Sequence, residues 1–454
     1  MTTTIYLGDC RDIIATLNDN SIDSIVTDPP YELGFMGNKW DNTGIAYDVN
    51  LWSECLRVLK PGGHLLAFGG TRTYHRMACA IEDAGFEIRD SIHWLYGSGF
   101  PKSHNVALSI DKMNGHKNRG RAIPTASTFQ ASDIEQKNKL TSNPVDPYIA
   151  KSDESKQWDG WGTALKPGHE PIVMARKPLT GTVAANVLEH GTGALNIDGT
   201  RVRRVSGDVS VAGHRTATFG TQDTMSGGDG SGGWSQNNAG RWPANLVITH
   251  AADCGDDCAA DCPVAELDQQ SGITKDGVTV RRNGNAGKGT FPVKIAEGSS
   301  DVGYGGSGGA SRFFTVTEWD DITPFLYVAK PSRSERNAGI TSLEWQHTDF
   351  GGNGKPGAEF NEVTHGKAPT PAANNHPTVK PLELMRYLVR LVTPPGGTVL
   401  EPFAGSGTTL AAAILEGFNA IGCELTADYL PIINGRVSWA QEQYANKPES
   451  LFDQ

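Results

Sequence analysis

The stretch that most directly suggests chemistry is residues 27–31, Thr-Asp-Pro-Pro-Tyr. Proline fixes φ and has no N–H to donate, so Pro29 and Pro30 form a stiff loop that presents carbonyl oxygens in fixed directions. The carboxylate of Asp28 adds a second acceptor, and the ring of Tyr31 offers a stacking surface. A planar amine matches this set, because it has two N–H donors, whereas a phosphate or a hydroxyl does not. Asp28, Pro29, Pro30 and Tyr31 are therefore the candidate catalytic residues.

A second candidate site is the loop at residues 401–407, Glu-Pro-Phe-Ala-Gly-Ser-Gly, which Glu424 follows 23 residues after Glu401. Glycines at a strand-to-helix turn let a ligand approach the backbone closely, and a carboxylate about 20 residues further on can hold two ribose hydroxyls. The spacing indicates a nucleoside-containing cofactor. Leucine at position 410 replaces the third glycine of the dinucleotide fingerprint, which weakens an NAD or FAD interpretation without excluding it. A turn whose glycines serve only its geometry is the alternative.

Four possible metal ligands, His250, Cys254, Cys258 and Cys262, recur at every fourth position. Their number and type match a Cys3His zinc site, and three intervening residues lie within the usual range of ligand spacings. A straight helix would align them on one face, which cannot surround a tetrahedral ion, so the chain would have to bend between them. A structural zinc ion and a set of small buried thiols stay open as two interpretations.

The N-terminal part of the chain alternates turn signals with periodic apolar segments, at the spacing of β-α-β units. Apolar residues at three- and four-residue steps predict one helix face formed by Val49, Trp52, Leu56 and Leu59, which ends at residues 61–63, Pro-Gly-Gly. A second helix is predicted over 74–84. The predicted strands are 21–27, 64–68 and 86–96.

The C-terminal part repeats the same alternation. A helix is predicted over 381–392, with Leu384, Leu388 and Leu391 on one side. A strand at 398–401, a helix at 408–416 and a strand at 419–424 follow. In an open α/β sheet, ligands bind beyond the carboxyl ends of the strands, so we expect the loop at 27–31 and the loop at 401–407 to meet at one edge of the sheet.

The middle of the chain has a different composition. Tracts rich in glycine and serine at 226–233 and 298–311 cannot bury enough surface to order themselves, and we interpret them as mobile loops that a ligand could order. Strands are predicted between the tracts at 170–175, 245–249 and 325–329. Basic residues collect in residues 112–121, in residues 201–204 and at Arg281 and Arg282.

Composition limits the class of protein. The 454 residues are 38% hydrophobic, enough for one large domain or two ordinary ones. No apolar run reaches the roughly 20 residues that cross a bilayer, and no basic segment followed by an apolar one opens the chain, so we expect an intracellular protein without a membrane partner. Seven cysteines, an odd number, favour a reducing compartment. The net charge of −11 argues weakly against a polyanionic partner, although local basic clusters can still bind one.

Taken together, Asp28-Pro29-Pro30-Tyr31 and residues 403–409, Phe-Ala-Gly-Ser-Gly-Thr-Thr, resemble the amino-methyltransferases of DNA. The order, with the Asp-Pro-Pro-Tyr motif first and the glycine loop last, resembles the β group of prokaryotic and phage enzymes. Further matches are residues 7–10, 59–63 and 376–381. The resemblance covers residues 5–99 and 375–440, with weaker similarity at 170–178 and 327–331. One departure is Glu401, where the family more often has aspartate.

The resemblance implies an α/β fold with a Rossmann-like, mostly parallel methyltransferase sheet, a circularly permuted motif order and a large inserted target-recognition region. It also implies S-adenosyl-L-methionine as the cofactor, with Asp9 near its adenine and Glu424 on its ribose. The full set of residues expected to bind the cofactor is Asp9, Cys10, His376, Thr378, Lys380, Phe403, Gly405, Ser406, Gly407 and Glu424.

The resemblance further implies an activity: methyl transfer to the exocyclic N6 of adenine in double-stranded DNA, after the base is flipped out of the duplex. Aspartate before Pro-Pro-Tyr is more typical of adenine enzymes, and serine of those that act on N4 of cytosine. Cytosine N4 is the alternative target, and an RNA or a protein glutamine is a more distant one. No nuclease motif is evident, which suggests a solitary methylase or one whose partner endonuclease is encoded separately.

The expected domains follow from these motifs. Residues 1–110 form the catalytic half of the methyltransferase domain, 111–375 the target-recognition insertion, 376–440 the cofactor-binding half and 441–454 a tail. Within the insertion, residues 165–180 are expected to return to the catalytic sheet. The insertion carries the basic clusters and glycine loops suited to phosphate contacts and base readout. A homodimer and a cytoplasmic location complete the expectations.

Overall fold

The computed structural model describes the chain in several ranges, which are residues 1–33, 39–96, 103–116, 148–201, 242–249, 258, 262–275, 307–308, 310, 315–317, 333–340, 374, 376 and 378–446. The described residues form two compact units, Met1–Leu95 with Glu170–Gln454, and Tyr96–His169. The strand predicted at 325–329 and the glycine tract at 226–233 lie outside the described residues, as does the tract at 298–311 except for residues 307–308, which form a short strand, and residue 310. Within the described parts, no helix combines the length and the apolar character that crossing a membrane requires.

The strands of the described chain are β1 (Thr3–Leu7), β2 (Ile22–Thr27), β3 (Leu59–Phe68), β4 (Glu87–Leu95), β5 (His169–Arg176), β6 (Leu246–Thr249), β7 (Thr274–Lys275), β8 (Ser307–Gly308), β9 (Thr315–Thr317), β10 (Thr398–Glu401) and β11 (Asn419–Glu424). The helices are α1 (Cys10–Ala15), α2 (Val49–Val58), α3 (Tyr74–Asp83), α4 (Val106–Met113), α5 (Asp153–Gln157), α6 (Val183–His190), α7 (Pro263–Ser271), α8 (Arg333–Asn337), α9 (Leu382–Val392), α10 (Thr408–Leu415) and α11 (Leu430–Ala445).

Nine of these strands form one sheet in the order β1-β11-β10-β2-β3-β5-β4-β6-β9. The five strands from β1 to β3 pair in parallel. Strand β5 runs antiparallel to β3, and β4, β6 and β9 pair in parallel. The expected α/β fold with a mostly parallel, Rossmann-like sheet is confirmed. The domain boundaries stay a prediction, although β5 does place a strand from the middle of the chain beside β3.

Strand β2 is an interior strand of the sheet, between β10 and β3, and helices cover both of its faces. All six of its residues are buried. Ile25 belongs to the hydrophobic cluster that includes residues of α1, α2 and α3. Ser24, which points the opposite way because side chains alternate along a strand, exchanges a hydrogen bond of 2.8 Å with Thr393 at the end of α9. Both faces of a parallel sheet are thus protected from water, as such sheets require.

The face of α2 differs from the predicted one. Its buried residues are Leu51, Trp52, Cys55 and Val58, whereas Val49 and Leu56 are partly buried. Leu59 is not helical at all, because the helix ends at Val58 and β3 begins with Leu59 paired to Ile22. The predicted helix stop at residues 61–63 therefore lies inside a strand. A shift in register between Ile22 and Ser24 accompanies this proline- and glycine-containing segment.

The C-terminal half follows its prediction closely. Strands β10 and β11 have the predicted limits, and Leu384, Leu388 and Leu391 of α9 are all buried. Helix α10 is buried on every side because it packs between α9 and α11. A helix that is apolar all round, such as α10, needs this kind of enclosure.

The second unit, Tyr96–His169, contains α4 and α5, which contact each other. Asp111 of α4 is fully buried. Its carboxylate accepts hydrogen bonds from the Tyr148 hydroxyl at 2.9 Å, from the Lys151 amide at 3.0 Å and from the Ser152 amide at 3.1 Å. Such bonds satisfy a buried carboxylate that would otherwise be costly to desolvate.

Gly62 in β3 has a positive φ of 78°, a conformation that glycine adopts without strain. A Cβ at this position would lie 2.5 Å from Nδ2 of Asn186 and 2.9 Å from the Cα of Gly193. The Asn186 amide is not free to move, because it donates to the carbonyls of Pro61 at 2.8 Å and Thr192 at 2.7 Å. Close packing of α6 on β3 therefore requires glycine at position 62.

We expect Gly62→Ala to destabilise the protein more than Gly44→Ala. Gly44 has nearly the same φ, 77°, but a Cβ there would meet nothing within 4 Å. The two variants share the cost of alanine at positive φ, about 1–2 kcal/mol, so their difference isolates the overpacking cost of about 1–3 kcal/mol. Urea unfolding of both variants measures it. Equal unfolding free energies would contradict the packing at Gly62.

Candidate functional site

The two loops singled out by sequence leave the same edge of the sheet. Strands β2 and β10 are parallel neighbours, with Ser24 paired to Val399 and Ile25 to Leu400. Residues 28–31 follow the carboxyl end of β2, and residues 402–407 follow the carboxyl end of β10. A side-chain hydrogen bond joins the two strand ends, because the Thr27 hydroxyl donates to Oε1 of Glu401 at 2.5 Å. The expected convergence of the two loops is therefore present.

Glu401 connects three segments at this point. Its carboxyl group is 1% exposed and accepts hydrogen bonds from the hydroxyls of Thr27 and Thr409, each at 2.5 Å, and from the Phe403 amide at 3.0 Å. Burial raises the pKa of Glu401 to about 8, although these three donors act to lower it and Asp28 adds a smaller increase. The longer side chain at a position where aspartate is usual thus fits the site.

Asp28 faces a cation rather than solvent. Its Oδ2 forms an ion pair with Nζ of Lys380 at 2.5 Å. The Tyr31 hydroxyl donates to Oε2 of Glu170 at 2.7 Å, and the Thr73 hydroxyl donates to the Tyr31 carbonyl at 2.8 Å. The ring of Tyr31 is therefore held at both its backbone and its hydroxyl.

Lys380, expected from the resemblance to bind the cofactor, lies against the catalytic candidate Asp28. Its ammonium is also 3.7 Å from Oε2 of Glu170. The same atom lies 5.2 Å from the ring centre of Tyr31 and 5.0 Å from that of Phe68, within the range of cation–π attraction. Burial alone would lower the pKa of Lys380, but the two carboxylates outweigh it and raise the pKa above its usual value.

A small cleft with aromatic walls lies beside the Asp-Pro-Pro-Tyr loop. It is lined by Pro30, Tyr31, Tyr47, Phe68, Tyr74 and the backbone of Gly69 and Gly70. A Cβ on Gly70 would lie 3.3 Å from Cδ2 of Tyr31, and one on Gly69 would lie 2.7 Å from the Cβ of Tyr74. The two glycines thus leave the space that the rings enclose. The Tyr31 and Phe68 rings of these walls are the two that also contact the Lys380 ammonium.

The glycine loop at 403–407 is shaped around its neighbours. Gly405 and Gly407 have φ of 53° and 75°, and a Cβ on Gly405 would lie 3.0 Å from Cε1 and Nε2 of His376. The Gly405 amide donates to Oε2 of Glu424 at 2.8 Å, and the Thr426 amide donates to Oε1 at 2.8 Å. Burial raises the pKa of Glu424. The predicted carboxylate and glycine loop are therefore in direct contact.

The remaining residues of the loop have polar or apolar anchors. Ser406 is buried, and its hydroxyl lies 3.1 Å from Oγ1 of Thr408 and 3.2 Å from Nη1 of Arg436. Phe403 packs against the main hydrophobic cluster. Arg436 of α11 is fully buried, and burial lowers its pKa to about 10. These contacts hold the loop and the start of α10 in place.

His376 lies against the glycine loop at Gly405, and Thr378 contacts His376. The Nδ1 of His376 is 3.0 Å from the Thr378 carbonyl, and its ring contacts that of Tyr429 edge to face with centroids 4.6 Å apart. Burial is the main cause that lowers the pKa of His376 to about 4, so the imidazole is neutral at neutral pH. A neutral ring beside Gly405 can contact a cofactor without adding charge.

Asp9 and Cys10 lie after β1, the edge strand beside β11. Asp9 caps α1, with its Oδ1 accepting from the Arg11 amide at 2.9 Å, and it forms an ion pair with the Arg11 guanidinium at 2.6 Å. Hydrogen bonding to Arg11 lowers the pKa of Asp9. Burial raises the pKa of Cys10 to about 12, so its thiol is protonated at neutral pH. The Gly8 amide donates to the Glu424 carbonyl at 2.9 Å, which brings this segment to the end of β11.

The zinc hypothesis falls mainly outside the described residues. His250 and Cys254 lie beyond them, while Cys258 is exposed and Cys262 is buried at the start of α7. Within the described ranges, no group of three or more His, Cys, Asp or Glu side chains is arranged to hold a metal ion. With two of its four ligands outside those ranges, the zinc site stays a prediction.

Sequence reasoning missed Glu170 and Arg436. Glu170 is the second residue of the largely apolar strand β5, and a charge near the end of such a strand is a usable signal. Its importance depends on strand direction: β5 is antiparallel to β3, with Ile172 paired to Phe68, so the start of β5 lies at the edge where β2 and β3 end. Arg436 lies in α11, a helix that sequence reasoning did not predict.

The buried carboxyl of Glu401 predicts a specific pH dependence. Its folded-state pKa of about 8 lies above the ordinary value of 4.5, so between these values the folded protein keeps a proton that the unfolded chain has released. Stability therefore falls as pH rises through this window. Glu401→Gln cannot titrate, so we expect the unfolding free energy of the wild type relative to this variant to fall by more than about 1 kcal/mol from pH 5 to pH 8. Urea unfolding at several pH values measures it, and a constant difference would contradict the assignment.

Comparison with known proteins adds an independent finding. The family described as DNA methylase matches residues 22–435 of the chain. The type II methyltransferase M.HindIII of Haemophilus influenzae is 26% identical over 236 residues, 42% of this chain and 64% of that protein. The type II methyltransferase M.HinfI of the same species is 28% identical over 141 residues, 25% of this chain and 39% of that protein.

A third relative is the DNA adenine methyltransferase YhdJ of Escherichia coli, which is 46% identical over 56 residues, 12% of this chain and 19% of that protein. The chain thus spans less than two thirds of the length of each of these relatives. The family match, in contrast, extends from the start of β2, through the Asp-Pro-Pro-Tyr and glycine loops, into α11. The chain belongs to the DNA methylase family.

Proposed function

We propose that this protein transfers a methyl group from S-adenosyl-L-methionine to the exocyclic N6 of adenine in double-stranded DNA. The observation that carries the proposal is the joining of two loops at adjacent parallel strand ends, where Thr27 bonds to Glu401. One loop holds the acceptors suited to a planar amine, and the other holds the glycines and carboxylate suited to a nucleoside. Membership of the DNA methylase family supports the same conclusion.

The residues of the glycine loop fit this cofactor. Gly405 and Gly407 let His376 and Ile433 pack closely against the loop, and the buried carboxylate of Glu424 accepts from the Gly405 amide. Carboxylates in this position accept hydrogen bonds from ribose hydroxyls. The neutral ring of His376 lies beside this loop, and the Asp9 segment lies beside Glu424. When bound, S-adenosylmethionine supplies a methyl group on a positively charged sulfur, which makes that carbon electrophilic.

The chain's own residues hold and align the target amine. The carboxylate of Asp28 accepts one N–H, and the carbonyl of Pro29 or Pro30 accepts the other, which favours a more pyramidal and more nucleophilic nitrogen. The Tyr31 ring offers a stacking surface for the base. Flipping a base out of the duplex costs a few kcal/mol, and stacking and hydrogen bonding offset that cost. Alignment of the amine with the methyl group then supplies much of the acceleration.

Adenine is the proposed base for two reasons. The motif begins with Asp28, and aspartate at this position is typical of the adenine enzymes in the resembling family. One relative is named a DNA adenine methyltransferase, although its match covers 12% of this chain. Cytosine N4 presents the same two donors and is the second candidate.

The remaining parts of the proposal concern partners and location. Residues 111–375, with the basic clusters that the sequence shows, are proposed to contact DNA and select the target. A homodimer, which the resemblance supports, and action in the cytoplasm, which the composition supports, belong to the same proposal. So does a solitary methylase, or one whose partner endonuclease is encoded separately.

The first test uses purified protein, labelled S-adenosylmethionine and matched duplexes of DNA and RNA. We expect methyl transfer to double-stranded DNA and recovery of N6-methyladenine after digestion to nucleosides. N4-methylcytosine would move the assignment to the second candidate. Label on RNA alone, or on no nucleic acid at all, would overturn the proposed function.

The second test removes the amine acceptor. We expect Asp28→Ala to abolish methyl transfer while S-adenosylmethionine still binds, because Asp28 contacts Lys380 and not the glycine loop. Asp83→Ala, an exposed aspartate at the end of α3, is the matched control and should retain activity. Near-normal turnover by Asp28→Ala would refute the assignment of the catalytic residue.

The third test concerns the cofactor. Glu424→Gln can still accept from the Gly405 amide but loses the charge and one acceptor for ribose hydroxyls. Hydrogen bonds to charged groups contribute about 1.5–3 kcal/mol, so we expect the Kd for S-adenosylmethionine to rise roughly 10- to 100-fold. Calorimetric titration measures it, with the exposed Glu442→Gln in α11 as control. An unchanged Kd would show that Glu424 does not bind the cofactor.

A further inference from the structure

Lys380 is a buried cation between two carboxylates and two aromatic rings. Its residue is 8% exposed, its ammonium bonds Asp28 at 2.5 Å, and Glu170 lies 3.7 Å away. The ring centres of Tyr31 and Phe68 lie 5.2 Å and 5.0 Å from the ammonium. Desolvating an ion at this depth is costly unless its charge is compensated, and here two carboxylates compensate it.

The contacts of Lys380 join three distant segments of the chain. Asp28 follows β2, Glu170 is the second residue of β5, and Lys380 precedes α9. The single positive charge of the ammonium lies 2.5 Å from Oδ2 of Asp28 and 3.7 Å from Oε2 of Glu170. A positive charge beside a carboxylate favours the ionised form of that carboxylate. Lys380 therefore balances the charge around Asp28.

The two oxygens of Asp28 differ in their partners. Oδ2 is committed to Lys380, whereas Oδ1 is buried and has no hydrogen-bond partner in the described part of the chain. The Tyr31 hydroxyl also interacts with the Asp28 carboxylate, but it donates its single proton to Oε2 of Glu170 at 2.7 Å. A buried acceptor without a partner is unfavourable in the free protein, and an incoming N–H donor would satisfy it.

We propose that Lys380 is a positioning residue for methyl transfer: by holding Oδ2 it aims Oδ1 of Asp28 at the target amine, and by holding Glu170 it fixes the hydroxyl end of Tyr31. This inference rests on the proposed function and deepens it, since it assigns the residue that aligns the amine acceptor with the stacking ring. Glu170 is a second positioning residue, because it accepts from the Tyr31 hydroxyl and lies 3.7 Å from the Lys380 ammonium.

The test compares Lys380→Met with Lys60→Met. Methionine keeps an unbranched stem of similar length but removes the charge. Lys60 forms an ion pair of 2.6 Å with the buried Asp23 at the opposite end of β2, so it is a matched Lys–Asp pair away from the site. In Lys380→Met the two carboxylates lose their counter-charge, and we expect the acid limb of the kcat–pH profile to move up by at least one pH unit. Lys60→Met should leave the limb in place.

Further variants separate charge from packing. Lys380→Met combined with Glu170→Gln removes one of the two facing carboxylates, so the acid limb should move back toward the wild-type position. Lys380→Arg keeps the charge, so its limb should stay in the wild-type position even if its geometry reduces kcat. A KM for S-adenosylmethionine within about twofold of wild type in Lys380→Met would separate this role from cofactor binding. A limb that stays fixed in Lys380→Met, or that fails to return in the double variant, would overturn the proposal.

A measurement without turnover distinguishes this inference from the proposed function. In Lys380→Met the facing carboxylates keep protons that the unfolded chain releases, so the urea midpoint relative to wild type should fall further at pH 7 than at pH 5. If the wild type methylates DNA and neither this difference nor the limb shift appears, the inference fails alone. If the difference appears but the wild type transfers no methyl group to DNA, the proposed function fails, and with it the role of Lys380 in transfer.

Discussion

The site depends on the parallel pairing of β2 with β10, two strands that lie at opposite ends of the chain. The Thr27–Glu401 hydrogen bond closes this pairing across 374 residues of sequence. Parallel neighbours must end at the same edge of a sheet, so the loops that follow them emerge side by side. The amine acceptors and the cofactor loop can then lie on rigid strand ends, which position functional groups more accurately than long flexible loops.

The polar groups at this edge of the sheet interact strongly because they are buried. Lys380, Glu401 and Glu424 are each less than a tenth exposed, so their interactions are screened less than at the surface and their unmet bonds cost more. Lys380 is paired with Asp28, Glu401 with the hydroxyls of Thr27 and Thr409, and Glu424 with the Gly405 amide. Each of these contacts fixes the position of the two groups that it joins. Asp28 and Tyr31 are therefore held before any substrate arrives, which is the condition for electrostatic preorganisation. The same condition makes the site sensitive to the loss of a single charge.

Local patterns in the sequence were enough to predict most of the helices and strands. Contacts between residues far apart in the chain could not be predicted from those patterns. Strands β10 and β11 had clear limits because glycine and proline flank short apolar runs. The start of β3 was missed because Pro61-Gly62-Gly63 usually ends a helix, whereas here pairing with β2 carries the strand through it. Lys380 lies in the predicted motif, but its bond to Asp28 spans 352 residues and leaves no trace in local spacing.

Glu170 is a residue from the middle of the chain that contributes directly to the candidate site. Strand β5 comes from residues 165–180, the part of the middle region that the sequence predicted to return to the sheet, and it pairs antiparallel with β3. This direction places Glu170 at the reacting edge, where it holds Tyr31 and faces Lys380. A parallel strand at the same place would have put its start at the far edge. Substitutions around β5 can therefore alter the acceptor side of the site directly, through one hydrogen bond and one ion pair.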